Sequence, residues 1–344
     1  MTRPLLCGVA VIELIIGTYG ENLYRYSFDT NSLEFTLKGK VEAVNPSYAL
    51  AEGESIFAVS ETGAESGVYS FYEGTTIERT ADLRQTGADP CFIMLYEGRY
   101  MMTADYSGGS LSVFPIIEGR LGARTAQMRF EGSGPISSRQ EASHIHQLKA
   151  LPSAEGHILA SDLGADVIRL IKITEDSSGM SLEHIKDIPC LAGSGPRHME
   201  FSHNGKYLYC IAELSGNVLV YSIKGTDFTL VQEIQADEVN AGGSADIHMH
   251  LSGKWLYTSH RLDNDGIAIF KVLKDGILEK IGYSRTARHP RNFMITEDGS
   301  YLLAACRDDK VIQVFRIEKD GSLTLTPSVL GFESDMPSSV TAAH

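Results

Sequence analysis

Hydrophobic and polar residues alternate with a period of two along most of this chain, and the alternating segments recur. Each copy has a strand-like segment, a short Gly-containing turn, a second segment, a polar loop and a third, alternating segment. Asn-Gly, Ser-Gly and Asp-Gly turns between alternating segments are signals of β-hairpins. The pattern therefore predicts an all-β fold of short antiparallel strands. The anchoring turn glycines are Gly53, Gly98, Gly156, Gly205, Gly253 and Gly299.

The spacing of the copies predicts the architecture. Successive turn glycines are 45, 58, 49, 48 and 46 residues apart, which is in the range of β-propeller blades. Residues 15–28 enter the pattern partway and make a seventh copy, and residues 323–344 are expected to supply the strands it lacks. We predict one domain over residues 1–344, a seven-bladed β-propeller closed by N- and C-terminal strands that share a blade. A parallel β-helix is the competing architecture, but it needs shorter repeats and fewer such hairpins.

Composition narrows the classes of partner. The chain has 344 residues, 43% of them hydrophobic, and a formal net charge of −14. We expect no nucleic-acid partner, because phosphate backbones need a basic surface. An anionic small molecule remains possible, since a few arginines in a cleft can reverse the local potential. We expect no membrane partner, because no segment reaches the roughly 20 apolar residues that span a bilayer. The sequence indicates no oligomeric state.

The cysteines and the N-terminal segment bear on location. Five cysteines are scattered without Cys-x-x-Cys spacing, so neither a zinc nor a redox motif is indicated and a reducing, cytoplasmic compartment is expected. Residues 5–17 form an apolar run after Arg3 that faintly resembles a signal peptide. Glu13 interrupts this run, which leads without a break into an alternating segment. We therefore predict a buried first strand.

The repeat also predicts which face carries the chemistry. Strands alternate in direction within a blade, so the Gly turns share one face and the loops after the second strands share the other. Arginine, histidine and acidic residues fall at the second face, where inner strands converge on the central channel. Such a ring resembles an anion site with acid–base capacity. Its candidate members include Tyr106, His144, His146, Arg197, His198, Glu213, Asp246, His248, Arg261 and Arg291.

Several of these residues have competing interpretations. Arg197 could brace a blade junction, and Glu213 could be only its ion-pair partner. Of His144 and His146, we expect one to face the channel, and we favour His146. Asp246, His248 and His250 are spaced by two, which invites a metal hypothesis, but no complementary ligand cluster is present and we predict no metal. A Ser-His-Asp triad is unsupported, because no Gly-x-Ser-x-Gly elbow occurs.

Several motifs at these positions resemble one known family. Gly-Pro-Arg-His begins at Gly195, Asp-Tyr-Ser-Gly-Gly at Asp105, and Arg-Gln-Glu-Ala-Ser-His-Ile-His at Arg139. Shorter matches occur at 162–166, 259–261 and 290–293. In their order along the sequence and over nearly the whole chain, these motifs resemble those of the propeller lactonases. That family includes bacterial 6-phosphogluconolactonases and the fungal enzyme that interconverts carboxymuconate and its lactone.

The resemblance implies a metal-independent lactonase without a cofactor, acting on a sugar-acid lactone, with 6-phosphogluconolactone the leading candidate. By motif position, the catalytic residues would be His146, Arg197, Glu213 and Arg261. His146 or Glu213 would take a proton from the attacking water, and the two arginines would stabilise the oxyanion. The residues expected to bind substrate are Tyr106, His144, Asp246, His248, Arg288 and Arg291, with Arg291 or Arg288 holding the phosphate.

The chain departs from the family pattern at three positions. Phe92 stands where histidine is common, Asp246 where glutamate is usual and Asp105 where asparagine is usual. The last two departures suggest a differently tuned site. Two alternative functions remain: a cycloisomerase of the carboxymuconate type, in which the same arginines would bind carboxylates, and a non-catalytic interaction scaffold, since propellers host many unrelated functions. A second cationic pocket, of phosphate size and near the acid–base pair, would favour the phosphorylated lactone.

Overall fold

Seven antiparallel sheets account for nearly all the regular structure of this chain. The computed structural model describes residues 11–74, 76–176 and 179–343. Within them, six sheets have four strands and one has five. The arrangement of these sheets as a seven-bladed β-propeller confirms the predicted fold class. Helical structure in the described residues is limited to two 3₁₀ turns, Gly63–Glu65 and Leu262–Asn264.

We number the strands in chain order. The strands of the first half are β1 Val11–Tyr19, β2 Asn22–Asp29, β3 Glu34–Glu42, β4 Ala49–Glu52, β5 Ser55–Ser60, β6 Gly67–Glu73, β7 Ile77–Leu83, β8 Pro90–Tyr96, β9 Tyr100–Asp105, β10 Ser110–Ile117, β11 Arg120–Leu121, β12 Ala126–Arg129, β13 Ile145–Ala150, β14 His157–Asp162 and β15 Val167–Asp176. Those of the second half are β16 Gly179–Pro189, β17 Pro196–Phe201, β18 Tyr207–Ala212, β19 Asn217–Lys224, β20 Asp227–Gln235, β21 Ser244–Met249, β22 Trp255–His260, β23 Gly266–Val272, β24 Leu278–Arg285, β25 Pro290–Ile295, β26 Tyr301–Cys306, β27 Val311–Ile317, β28 Leu323–Gly331 and β29 Met336–Ala342.

The strands group into blades as the repeat predicts. Strands β4–β7 form blade 1, β8–β12 blade 2, β13–β16 blade 3, β17–β20 blade 4, β21–β24 blade 5 and β25–β28 blade 6, and β29 joins β1–β3 as blade 7. The six turn glycines all follow the first strand of a blade and have φ between +58° and +71°. Glycine adopts this left-handed conformation without a steric cost, which explains its recurrence at the hairpins.

The two ends of the described chain meet in blade 7. Strand β29 pairs antiparallel with β1, and Asp335 fastens the junction by accepting hydrogen bonds from Glu21 N, Asn22 Nδ2 and Tyr24 Oη at 2.9, 2.9 and 2.6 Å. The predicted closure is confirmed, with one correction. Residues 323–331 do not join the first copy, because β28 pairs with β27 as the outer strand of blade 6. One strand alone closes the ring.

The hydrophobic core lies between the blades. Seven clusters of buried apolar side chains are found among the described residues, one at each interface between neighbouring blades. In one, Met102 of blade 2 packs with Ile158 of blade 3, and in another Leu303 of blade 6 packs with Leu14 of blade 7. Close-packed interiors resist small displacements. The clusters therefore fix the inner strands that surround the channel.

The predicted first strand is partly covered by the described residues. Strand β1 begins at Val11, and Leu14, Ile15 and Ile16 within it are fully buried. Residues 1–10, which include Cys7, lie outside the described part of the chain. Among described residues, no helix has the length and apolar character to cross a membrane.

Candidate active site

A β-bulge re-aims one side chain in the innermost strand of several blades. In β8, β13, β17 and β25, the pairing register with the second strand shifts by one residue near the start. Bulges of this kind turn a side chain away from the regular alternation and are frequent beside active sites. The residues skipped by the register are Cys91, His146, Arg197 and Arg291. All four line cavities at the centre of the ring.

A second repeated position supplies the residues at the mouth of the channel. The residue at or just after the end of a blade's second strand lies at the channel mouth, on the face opposite the Gly turns. In five blades this residue lines the same cavity as the bulge residues Cys91, His146 and Arg291. These residues are Tyr19, Glu61, Tyr106, Glu213 and Arg261.

The bulge residues and the residues at the channel mouth surround the main cavity, which has a volume of about 390 Å³. This volume is within the range of small-molecule sites. Three arginines and two glutamates contribute the charge, so the cavity is cationic within a chain of net charge −14. Its lining residues are Tyr19, Glu61, Cys91, Tyr106, Arg139, His146, Glu213, Gly242, Gly243, Arg261, Leu262 and Arg291.

Glu213 is held by three arginines. Its carboxylate oxygens lie 2.6 Å from Arg139 Nη2, 2.8 Å from Arg197 Nε and 3.2 Å from Arg261 Nη2. Burial alone would raise the pKa of Glu213, but the charges of Arg261, Arg197 and Arg139 lower that pKa to about 2. The carboxylate therefore stays ionised and is a weak base.

Backbone carbonyl groups hold the side chains of Arg261 and Arg197. Arg261 Nε donates to Gly243 O at 2.8 Å, and Arg197 Nη1 donates to Ala245 O. Burial lowers the pKa of Arg261 to about 9, although Glu213 opposes the shift. Both guanidiniums are thus fixed in orientation by groups that also partly satisfy their donors.

Arg291 differs from these arginines in its partners. Among the described residues, no hydrogen bond or ion pair engages its guanidinium, which instead stacks over the Tyr19 ring with 5.1 Å to the centroid. Tyr19 in turn donates to Glu61 Oε2 at 2.7 Å. A half-buried guanidinium that faces a cavity with its donors unspent is suited to bind an anion.

His146 is the titratable imidazole in the cavity wall. It is 4% exposed, and burial, followed by the charge of Arg197 and the proximity of His198, lowers its pKa well below the usual range. Its Nδ1 lies 3.7 Å from Cys91 Sγ. Burial raises the pKa of the Cys91 thiol, so that group stays protonated. His146 is therefore neutral and able to accept or pass on a proton.

His144 and His146 occupy different environments. Spacing alone does not explain this difference, because residues two apart in a regular strand share a face. The expectation that only one of the two histidines faces the channel therefore did not follow from their spacing. The bulge at His146, with β13 starting only at Ile145, separates them. His144 does not line the cavity. It stacks on Tyr106 with centroids 4.5 Å apart, and its Nε2 lies 3.2 Å from Glu141 Oε1.

The remaining predicted residues lie outside the main cavity. Asp246 is fully buried below it and binds His198 and His248. His248 lines a separate cavity of about 450 Å³ whose other lining residues are mostly apolar. Arg288 is exposed and pairs with Asp309 Oδ1 at 2.7 Å. In the described part of the chain, no group of three or more His, Cys, Asp or Glu side chains could hold a metal ion.

Sequence reasoning missed Tyr19, Glu61 and Arg139 as cavity residues. The first two could have been found, because they occupy the position in the repeat that Glu213 and Arg261 occupy in theirs. Arg139 lies in the long loop before β13, whose path no periodicity specifies. It reaches the cavity through its ion pair with Glu213.

Comparison with known proteins shows the family of this chain. The model of the family described as "Lactonase, 7-bladed beta-propeller" matches residues 13–341. A protein of Formosa agariphila named 6-phosphogluconolactonase is 38% identical over 208 residues, which are 58% of this chain and 59% of that protein. The chain thus spans less than two thirds of that relative in the alignment.

Two solved structures extend the comparison over the whole chain. Both are Bacteroides proteins assigned provisionally as 6-phosphogluconolactonases. The B. fragilis structure is 35% identical with a TM-score of 0.93, covering 99% of this chain and 100% of that one. The B. uniformis structure is 37% identical with a TM-score of 0.91, covering 97% and 100%. This chain belongs to the lactonase family of seven-bladed β-propellers.

Proposed function

We propose that this protein is a lactonase that hydrolyses a sugar-acid lactone, most specifically 6-phosphogluconolactone to 6-phosphogluconate. The observation that carries the proposal is Arg291, whose guanidinium faces a 390 Å³ cavity with no hydrogen-bond partner among the described residues. Its neighbour in that cavity is a neutral histidine, His146. A cation with free donors beside an acid–base group suits an anionic, hydrolysable substrate.

The roles of the catalytic candidates follow from their contacts. Arg197 and Arg261 are fixed by backbone carbonyls and Glu213, so they are preorganised to stabilise the oxyanion as the lactone carbonyl becomes tetrahedral. Glu213 is a weak base with a pKa of about 2. We therefore assign it to holding the arginines, and His146 to exchanging a proton with the reacting lactone.

The phosphate has two cationic partners available. Arg291 is half-buried in the cavity wall, whereas the Arg139 side chain is 38% exposed and paired with Glu213. One arginine near the carbonyl and another toward solvent would suit a substrate with an ester at one end and a phosphate at the other. Arg288, the alternative phosphate partner considered from sequence, is 70% exposed in its side chain and paired with Asp309, and we do not assign it to the cavity.

The named relatives support the same substrate, since 6-phosphogluconolactonase is the activity in the name of the Formosa protein. Hydrolysis of this lactone is a step of the pentose phosphate pathway, and we infer a cytoplasmic location for it. Support for that location comes from the free thiols of Cys91, Cys190, Cys210 and Cys306. Unpaired cysteines are typical of reducing compartments.

The proposal is tested with freshly generated 6-phosphogluconolactone, with unphosphorylated gluconolactone as the comparison and spontaneous hydrolysis subtracted. We expect faster turnover of the phosphorylated lactone. Arg291→Ala should lower kcat/KM for it by about 10- to 100-fold, the value of a charged hydrogen bond at roughly 1.5–3 kcal/mol. Arg288→Ala is the matched control and should leave the rate unchanged. Absence of acceleration by the wild-type protein with both lactones would refute the proposal, and carboxymuconolactone would be tested next.

A further inference from the structure

A second, much smaller cavity adjoins the main one at the centre of the ring. Its volume is about 10 Å³, roughly the room that one water molecule needs. Cys91, His146 and Arg291 line both cavities. We call the smaller one the chamber. Its lining residues are Ser47, Tyr48, Cys91, His146, Arg197, His198, Arg291, Asn292 and Ser338.

His198 has one nitrogen bound and one unpaired at the chamber. Its Nδ1 lies 2.7 Å from Asp246 Oδ1, and because an ionised carboxylate only accepts, Nδ1 carries the hydrogen and donates. The neutral ring then presents a lone pair at Nε2. This atom is buried and has no hydrogen-bond partner in the described protein. Buried polar atoms without partners are rare and call for an explanation.

Asp246 is built to hold His198 in this state. Its carboxylate also accepts from His248 Nε2 at 3.0 Å, from Asn292 Nδ2, and from the Phe293 backbone N–H at 3.2 Å. Burial alone would raise the pKa of Asp246, but His248 and His198 lower it well below the usual range. A charged, immobile carboxylate behind an imidazole fixes its tautomer and stabilises the imidazolium when one forms.

We propose that the chamber holds the nucleophilic water and that His198, oriented by Asp246, is the general base that deprotonates it. This inference rests on the lactonase function proposed above and adds a catalytic residue to it. His146, which lines both the chamber and the main cavity, is then the relay between His198 and the substrate. The ring centroids of His146 and His198 are 5.1 Å apart.

The proposed step balances without a further reagent. The water oxygen forms a bond to the lactone carbonyl carbon while its proton moves to His198 Nε2. The carbonyl electron pair moves onto oxygen, where Arg197 and Arg261 stabilise it. When the ring C–O bond breaks, the ring oxygen takes up a proton from His146, which is replenished from His198. The net change is the addition of one water molecule.

The charges around His198 make its basicity depend on the substrate. Burial, followed by the charge of Arg197, lowers the pKa of His198 to about 4, and Asp246 only partly opposes this. In the empty site a proton on His198 is therefore disfavoured. An anionic substrate and the developing oxyanion compensate the charge of Arg197, which raises the affinity of His198 for a proton when catalysis requires it.

The experiment compares kcat and KM for 6-phosphogluconolactone in the wild-type protein and in His198→Gln and Asp246→Asn. Loss of a general base lowers the rate by about 10²- to 10⁴-fold. We expect kcat of His198→Gln to fall by at least 100-fold, with KM within about threefold. The kcat of Asp246→Asn should also be lower than that of the wild type. His250→Gln is the control, because His250 binds Ser252 and Gly299 O at the Gly-turn face, and its kcat should be unchanged.

The outcomes separate this inference from the proposed function. If the wild type is active and His198→Gln retains its kcat, His198 is not the base, and the lactonase function stands. If His198→Gln changes only KM, the residue shapes the cavity and the base assignment is overturned. A wild type inactive on every lactone overturns both. Folding of each variant is checked by circular dichroism and by binding of 6-phosphogluconate, which should remain near the wild-type affinity if the arginines are undisturbed.

Discussion

Glu213 is the residue whose replacement should cost this protein most stability at the site. Its carboxylate pairs with Arg139, Arg197 and Arg261 at 2.6–3.2 Å and is 6% exposed. Glu213→Gln retains the shape of the side chain and removes the charge, which leaves three arginines without their shared partner. Removing one member of a buried ion pair is typically costly for this reason.

The pKa shift of Glu213 gives the size of the expected loss in the free energy of unfolding. Interaction with the arginines lowers the pKa of Glu213 from 4.5 to about 2, which corresponds to about 3 kcal/mol of stability at neutral pH. Because the folded-state pKa is below the unfolded value, this contribution is fully present above about pH 5. It is lost as the pH falls from there toward 2. The difference between wild type and variant should shrink over the same interval.

Urea denaturation, monitored by tryptophan fluorescence and circular dichroism, measures the stability difference between wild type and variant. Repeating it between pH 7 and pH 3 measures how that difference depends on pH. At pH 7 we expect Glu213→Gln to be less stable by about 3 kcal/mol and its Tm to be lower by roughly 4 °C. Inorganic phosphate should restore part of the loss, because an anion that binds the freed arginines stabilises the folded state. Glu279→Gln, at an exposed position of β24, is the matched control. Equal stability of Glu213→Gln and wild type at pH 7, or a difference that does not narrow toward pH 3, would refute the reasoning.

Three further predictions concern other parts of the molecule. Burial raises the pKa of Cys91, so iodoacetamide at pH 8 should modify it only after denaturation, as peptide mass spectrometry would show; alkylation in the native state would contradict this. Asp335→Ala removes three hydrogen bonds at the ring closure and should lower the urea midpoint by an amount equivalent to about 2–4 kcal/mol, whereas Asp320→Ala, in an exposed turn, should change it little. Gly164→Ala places a Cβ 1.7 Å from Ala142 O, which should displace the 139–144 loop and lower kcat/KM more than Gly331→Ala, where the added Cβ meets nothing within 4 Å.

The sequence was sufficient to predict the architecture because the repeat encodes it at every blade. Gly-containing turns, alternating strands and a period near 48 residues are all local signals. The mistake at residues 323–331 has a physical origin. Strand β28 has the alternating pattern that every outer strand has, so the pattern does not reveal which blade it joins. Pairing with β27 decides that question.

The site was harder to predict than the fold, because side-chain direction depends on the bulges. A bulge is a shift of one residue in the pairing between two strands, and neither strand alone specifies it. The sequence could locate Arg197, Glu213 and Arg261 at blade ends. It favoured His146 over His144 for the channel, but it contained no signal for the bulge at His146 or for the packing of His144 against Tyr106. It also assigned Arg288 to substrate, although an exposed ion pair with Asp309 holds that side chain outside the cavity.

The residues at the two repeated positions are distinct from the apolar side chains that hold the blades together. Four blades present a bulge residue to the central cavities and five present a residue at the end of the second strand, whereas the apolar clusters that hold neighbouring blades together consist of other residues. A substitution at either channel position therefore changes the site without opening a cavity between blades. Blade 4 has Arg197 and Glu213 at these positions, while blade 3 has His146 and the buried, apolar Leu163. Much of the charge around the channel is therefore set by residues at these two positions, and the loop before β13 adds Arg139. We expect substitutions at these positions to change which lactone is bound, and we expect the packing of the clusters between blades to be retained.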